Sequence, residues 1–316
     1  MGLFLFQRFT LLLATLAFAS IVVFGVLEIL PGNAAQVMLG ASATPETVAA
    51  LAHKLGLDQG VIARYASWIG GAAHGDFGLS YAYDSPIGPL IGERLAVSAP
   101  LALLAMLITA AIALTAGVFA AQRRGKGGDV AVMAASQLGL AIPNFWFAIL
   151  LVLVFAVHWH IAPSGGFPGW EAGAGRALGA LMLPALALGL VQAAILTRVT
   201  RSSLLDVLNE DFVRTARAKG LSKRATLWRH ALPNALTPIL TIMGLQFANL
   251  IASAIVVENV FTLPGLGRLV FQSIANRDLL VVEDCVMLLV AIVVVVNFLV
   301  DVACAAIDPR LRKRAA

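Results

Sequence analysis

The sequence predicts an all-α integral membrane protein with six transmembrane helices, and three observations carry that prediction. Of the 316 residues, 60% are hydrophobic and only 12% are charged, about half the charged share of a typical soluble domain. The apolar residues are gathered into runs of about 20, the length a helix needs to cross the hydrocarbon of a bilayer. Lys and Arg collect on alternate sides of those runs. Lipid offers backbone groups no hydrogen-bond partners, so the runs have to be helices.

The first run extends from Phe9 to about Leu30 and carries no charge before Glu28. Ala17-Phe18-Ala19 mimics a signal-peptidase site, but the apolar stretch continues past it, which favours an uncleaved span. A long outside segment follows, Pro31 to Val97. Its ATPETVAALAHKLGLD offers Thr44 as N-cap, Pro45 at the first helical position, apolar Val48, Leu51, Ala52 and Leu55, and Gly56 as a stop. A second amphipathic stretch holds Val61, Ile62, Tyr65, Trp68 and Ile69, and GGAAHGDFGLS, Gly70 to Ser80, then breaks into loop. This segment reads either as a cap on the membrane surface or as a docking surface for an external partner, with Asp76 a contact residue.

The second span is Ser98 to Ala121 and the third Val130 to Val157. At the middle of the third, in GLAIPNFW, Pro143 removes a donor and crowds the carbonyl four residues earlier, so a kink is expected. Asn144 beside it is polar at membrane depth and reads as a companion of the kink or as a pathway residue. The fourth span is Leu178 to Thr197 and the fifth Leu236 to Val257. At about 100° per residue, Gln246, Asn249 and Ser253 share one face of the fifth, opposite Gly244, Ala248 and Ala252. Neither face suits lipid: small residues let a helix come close, and polar ones prefer a bundle interior or a wet cavity. The polar stripe is either a water-facing pathway or interhelical hydrogen-bond glue.

After it, ENVFTLPGLGRLVFQSIANRD spaces Leu266, Leu269, Val270, Ser273 and Ile274 as a short amphipathic helix opened by the turn at Pro264 and Gly265. Too short to cross, it lies on the outer surface or dips back among the helices, where with Gly267 it shapes an outer gate. The sixth span is Cys285 to Ile307. Its two cysteines, Cys285 and Cys304, stand about 28 Å apart along one helix. They cannot form a disulfide, which needs Cα atoms within about 7 Å, and read as small packing residues.

With the N-terminus inside, sixteen Lys and Arg fall in cytoplasmic segments and six outside. That bias places both termini and the basic central loop in the cytoplasm. The isoelectric point near 9.6 therefore reports orientation, and no nucleic-acid partner is expected. Enzymatic motifs are absent: no G-x-x-x-x-G-K-[ST], H-E-x-x-H, G-x-S-x-G or C-x-x-C. His158 and His160, two apart beside Trp159, suit an interface better than a metal pair. No catalytic residue, metal site or cofactor of its own is expected, so any work must be powered by something else.

Eight of the 22 Lys and Arg residues lie between Arg198 and Arg229. Here Asn209 is placed to cap a helix, Glu210 and Asp211 lie in its first turn, Arg214, Arg217 and Lys219 toward its end, and Gly220 stops it. Ser222 caps a second short helix, with Leu227, Trp228, Ala231 and Leu232 on one edge, until Pro233 interrupts. Positive-inside bias explains the charges but not the paired caps or the buried-looking Phe212 and Trp228, which favours a partner-docking element.

At these residues the chain resembles a known family. Arg-Thr-Ala-Arg-Ala-Lys-Gly, followed by Arg229-His230-Ala231-Leu232 and Asn234-Ala235-Leu236, is similar to the EAA-type loop of the inner-membrane permeases of binding-protein-dependent ABC importers, in particular the dipeptide/oligopeptide/nickel permease family. LPGNAAQVMLG, ATPETVAAL with LGLD, GDFGLS, IPNFW, VVENVFTLPGLGRL and DPRLR follow that family in order and spacing. Arg214 and Thr215 replace the Glu and Ala of the general loop, and Asn33 and Ala34 replace the common Asp-Pro.

The resemblance implies a type I ABC importer permease fold with cytoplasmic coupling helices in the bacterial inner membrane. It also implies a division into 1–96, a span plus extracytoplasmic helices; 97–308, the permease core; and 309–316, a basic tail. The implied partners are a second homologous permease, two ATPase subunits that use ATP and Mg, a periplasmic solute-binding protein and the lipid bilayer. The cargo is a peptide or a related small solute such as a nickel chelate. Phe212, Arg214, Thr215, Ala216, Arg217, Lys219, Gly220 and Leu221 would couple to the ATPase. A self-contained secondary transporter or a membrane enzyme are the contrasting classes. The first would need coupling charges within the spans, yet Glu28, Glu258 and Asp301 all lie near span ends.

Overall fold

The computed structural model describes residues 2–29, 39, 43–54, 56 and 58–308. Asn33, Ala34, Leu55 and the basic tail lie outside the described residues. In chain order the elements are α1 (Gly2–Ile29), α2 (Pro45–Lys54), α3 (Val61–Ala73), strands β1 (Leu79–Ser80) and β2 (Ser85–Pro86), α4 (Ile87–Gln122), α5 (Gly127–Ala141) and α6 (Asn144–Leu151), which continues as a π-turn to His158. There follow α7 (Ala174–Leu208), α8 (Asp211–Ala218), α9 (Lys223–Thr226), a π-turn (Leu227–Ala231), α10 (Leu232–Val260), α11 (Leu266–Ala275) and α12 (Leu279–Ile307).

Among the described residues, five helices are long and apolar enough to cross a membrane: α1, α4, α7, the continuous Lys223–Val260 helix and α12. The sixth expected span is a broken pair, α5 and α6, bent by 101°. Pro143 predicts a kink here, and the break is a sharp one. Ile142 is extended at ψ 123°, the conformation a following proline imposes, and Pro143 itself stands outside α6 as its N-cap.

Two further expectations need correcting. Pro233 does not interrupt anything: it occupies the first turn of α10, where its missing N–H is tolerated, and the π-turn before it widens the helix instead of ending it. The second short helix is thus the first turn of a span. Gly70 to Ala73 remain in α3, so loop begins only at His74. Among the described residues the class is all-helical apart from a two-residue antiparallel ladder pairing Leu79 with Pro86 and Ser80 with Ser85.

The chain divides into two compact units whose boundaries fall inside helices. One comprises residues 1–10, 99–263 and 295–316. At its centre α7 packs against α5, α6 and α10. Glycines permit the closest approach: a Cβ at Gly189 would lie 2.8 Å from the Ala105 carbonyl oxygen of α4, and one at Gly244 would lie 2.8 Å from Asn297 Oδ1 of α12. Thr109 Oγ1 fastens the first of these crossings by donating to Ala105 O and Gly189 O at 2.8 and 3.0 Å. Leu196, Leu204, Leu227, Ala231, Ala235 and Ile239 form one buried cluster along α7 and the start of α10.

The other unit comprises residues 11–98 and 264–294. Its core joins Ile87 and Ile91 to Leu266, Leu269 and Val270 of α11 and Val281 of α12, each fully buried aliphatic contributing roughly 2 kcal/mol. Thr44 caps α2 as expected, its hydroxyl accepting from Thr47 N at 3.3 Å, and Gly56 takes φ +67° after it.

Candidate functional site

The basic segment is a short helix with one face locked and one face free. Val213 is fully buried and Ala216 is 8% exposed, while Phe212, Arg214, Thr215, Arg217 and Lys219 are exposed and Leu221 is half-buried. Its end is built by Gly220 at φ +89°, where a side chain would be strained. Leu221 N donates to Ala216 O at 3.3 Å and Gly220 N to Arg217 O at 2.9 Å, the paired bonds of a Schellman stop. Two residues on, Ser222 Oγ accepts from Ala225 N at 3.2 Å and opens α9. Gly220 and Ser222 therefore do what their sequence positions imply. Asn209 does not: it ends α7, and Glu210 is the N-cap of α8 without a side-chain bond.

Phe212 and Trp228, which look buried in the sequence, are 42% and 51% exposed. Helical periodicity marks the apolar edge correctly, but the chain covers Leu227 and Ala231 fully and Leu232 in part, and leaves Trp228 out. Trp228 lines a groove with Arg217, Lys223, Arg224, Leu208 and Gln122. Arg214 reaches Asp211 at 3.4 Å with both side chains in solvent, a contact of little energetic consequence that leaves the guanidinium available.

One residue pair holding this region escaped the sequence reading. Arg201 of α7 grips Asp129 of α5 through Nε–Oδ1 at 2.5 Å and Nη2–Oδ2 at 2.7 Å, and Gly125 N donates to the same carboxylate at 2.9 Å. Asp129 is buried, so this two-pronged charge-assisted contact fixes the turn after α4 against α7. The available signal was a lone acid, Asp129, directly after Arg123, Arg124 and Lys126.

The polar stripe of α10 meets three environments. Gln246 is buried and its Nε2 donates to Gln192 O of α7 at 3.0 Å. Asn249 is exposed. Ser253 is half-buried and accepts from Asn144 Nδ2 at 2.8 Å, so the residue after the Pro143 break is tied to α10.

In the other unit, Pro264 is half-buried, and Gly265 and Gly267 are buried with Leu266, whose N–H donates to Ser98 Oγ at 2.8 Å. Ile274, expected on the apolar face of α11, is 56% exposed. Asp76 is exposed and folds back on its own loop, accepting from Gly78 N at 3.0 Å. The polar centre is Asp278, unremarked in the sequence: its buried Oδ2 accepts from Ser80 Oγ at 2.6 Å and Ala82 N at 3.0 Å. Burial pushes the Tyr81 phenol above its ordinary pKa, and the Asp278 and Glu283 carboxylates act in the same direction. Among the described residues no cluster of His, Cys, Asp and Glu is arranged to hold a metal ion.

The chain as a whole is similar to known proteins. The family model described as binding-protein-dependent transport system inner membrane component matches residues 113–313, and that of the N-terminal part of such membrane components matches residues 1–102. A putative peptide transport system permease protein of Brucella abortus (strain 2308) is 41% identical over 294 residues, covering 93% of each chain. The dipeptide transport system permease protein DppB of Escherichia coli (strain K12) is 32% identical over 335 residues, covering 98% of this chain and 99% of that one. The fold resembles a chain of the MetNI methionine ABC transporter in inward-facing conformations, at TM-score 0.57 and 18% identity over 69% of this chain and 96% of that one.

Proposed function

The chain belongs to the family of binding-protein-dependent transport system inner membrane components, and on that premise we propose that it forms half of the translocation pathway of an ATP-driven peptide importer. Membership makes it a multi-pass inner-membrane permease subunit that does not itself hydrolyse ATP and that works with ATPase and binding-protein partners. Peptides are the substrate class because relatives matched along nearly their whole length carry that name. The finer assembly is a second, similar permease, two ATPase subunits and a periplasmic solute-binding protein, with both termini cytoplasmic.

The observation that carries the coupling role is the divided character of α8. Val213 and Ala216 anchor it to the chain, Phe212 and Arg217 stand exposed on the two edges of that buried stripe, and Arg214 on the opposite face and Lys219 at the C-cap are exposed as well. A ring and a fork of cations on an anchored helix suit a cleft in an ATPase, with Thr215 and Leu221 at its margin. Two ATPase conformations that contact this face differently bias the permease between inward-facing and outward-facing states. Asn249, with Ser253 and Asn144, lines the pathway, and Gln246 serves as an interhelical tie beside it. Asp76 contacts the binding protein, while Pro264, Gly265 and Gly267 shape the outer gate from within.

The test is reconstitution in proteoliposomes with the co-encoded subunits. Peptide uptake is expected only with ATP and both ATPases; uptake by this chain without them would favour a secondary transporter.

A further inference from the structure

We propose that α5 and α7 form a binding site for the phosphate headgroup of an anionic phospholipid, which Arg198 holds. Between the two helices lies a cavity of about 740 Å³, lined by Met133 and Leu140 of α5 and by Ile195, Arg198, Val199 and Ser202 of α7. At its apolar end the helices come close: a Cβ at Gly139, next to Leu140, would lie 3.0 Å from the Cβ of Ala194, next to Ile195. At its polar end Arg201, which also lines the cavity, pairs with Asp129. Asp129 stands in the first turn of α5, just after the basic turn that holds Lys126, and Leu140 is about 16 Å further along the helix.

Charge supplies the second observation. Arg198 and Arg201 lie one turn apart on α7, yet only Arg201 meets a carboxylate there, its fork closing on both oxygens of buried Asp129. Arg198 is exposed, and its Nη1 donates to the neutral Gln137 Oε1 at 3.4 Å, a long contact that brings no negative charge. None of the residues lining the cavity is acidic. The charge facing the cavity is therefore positive and selects an anion, and a cation at the edge of hydrocarbon is costly until an anion meets it.

The walls favour a lipid over a soluble anion. From Arg198 the lining continues away from the basic turn as Met133, Val199, Ile195 and Leu140, an apolar surface that suits an acyl chain and offers a soluble anion nothing. Basic pockets between transmembrane helices on the cytoplasmic side take anionic headgroups, and a guanidinium matches phosphate with two parallel donors. The site rests on the permease reading only for the placement of α5 and α7 in the bilayer. It needs neither α8 nor an ATPase, so lipid binding and peptide uptake fail separately.

Native mass spectrometry of the full-length chain tests it, by titration with phosphatidylglycerol and with phosphatidylcholine of the same acyl chains. The first phosphatidylglycerol is expected to bind about fivefold more tightly than phosphatidylcholine. Arg198→Gln is expected to abolish that preference, whereas Arg124→Gln, which removes the same charge from the exposed turn after α4, is expected to keep it. Should Arg198→Gln fail to fold, Arg198→Lys is expected to lower the preference, since it keeps the charge and loses the fork. Equal binding of the two lipids, an undiminished preference in either folded Arg198 variant, an equal loss in Arg124→Gln, or displacement of the lipid by sodium phosphate or dialanine overturns the proposal.

Discussion

Two short amphipathic helices of nearly equal length, α8 and α11, meet opposite fates. α11 sinks Leu266, Gly267, Leu269, Val270 and Ser273 into its unit, and its first free N–H finds Ser98. α8 buries only Val213 and Ala216 and leaves Phe212 standing among Arg and Lys. An amphipathic pattern announces that a face will be covered; it does not say by what. At α11 the chain covers five residues of one face, yet Phe271 and Ile274 beside them stay 60% and 56% exposed. At α8 it covers two and leaves Phe212 exposed, and the cover for that face is the partner proposed above, aromatic and Arg side chains being frequent anchors of protein interfaces.

The contrast can be broken most severely at Gly220. Gly220→Pro forces φ from +89° to about −65° and deletes the N–H that closes on Arg217. Coupled transport is expected to fall more than tenfold, with ATP hydrolysis by the partners persisting and membrane insertion intact. Uptake at the ordinary rate would end the docking role of α8.

The next test sets the two helices against each other directly. Leu269→Ala in α11 is expected to cost about 3 kcal/mol of stability, read from chemical unfolding in detergent. Phe212→Ala in α8 is expected to stay within about 0.5 kcal/mol while lowering transport. Equal stability losses at the two positions would erase the distinction between covered and uncovered faces.

A third substitution sharpens what anchors the basic region. Asp129→Ala strands Arg201, which is 25% exposed, so the loss is expected near 2 kcal/mol, below the range for a fully buried pair. No change in the unfolding midpoint would show the contact to be ornamental. The smallest effect separates pathway from tie along α10: a cysteine at Asn249 is expected to react with an aqueous thiol reagent much faster than one at Gln246. The reverse order would exchange their roles.

Much of this was legible in the sequence where the cause is local. Thr44, Gly56, Gly220 and Ser222 act through backbone groups within a few residues of themselves, so a single sequence suffices to place them. The span positions follow from hydropathy in the same way. The kink at Pro143 is legible in the sequence, but neither its 101° nor the tie from Asn144 to Ser253, 109 positions away, follows from local spacing. Pro233 misled because its effect depends on a change of helical pitch one turn earlier. Phe212 and Trp228 misled because periodicity cannot report a missing neighbour. Asp129 with Arg201, and Ser80 with Asp278, join residues 72 and 198 positions apart, beyond the reach of any spacing rule.

The π-turn at Leu227–Ala231 has one more implication. Because it widens the coil without severing it, Lys223 to Val260 is one rod of 38 residues, about 57 Å from end to end. Its basic end carries Trp228 and its far half carries Asn249 and Ser253. On the proposed coupling, a push at the basic end travels along this rod as leverage, and the looser winding at Leu227–Ala231 and the Pro238 inside the helix are both places where part of the stroke can be absorbed.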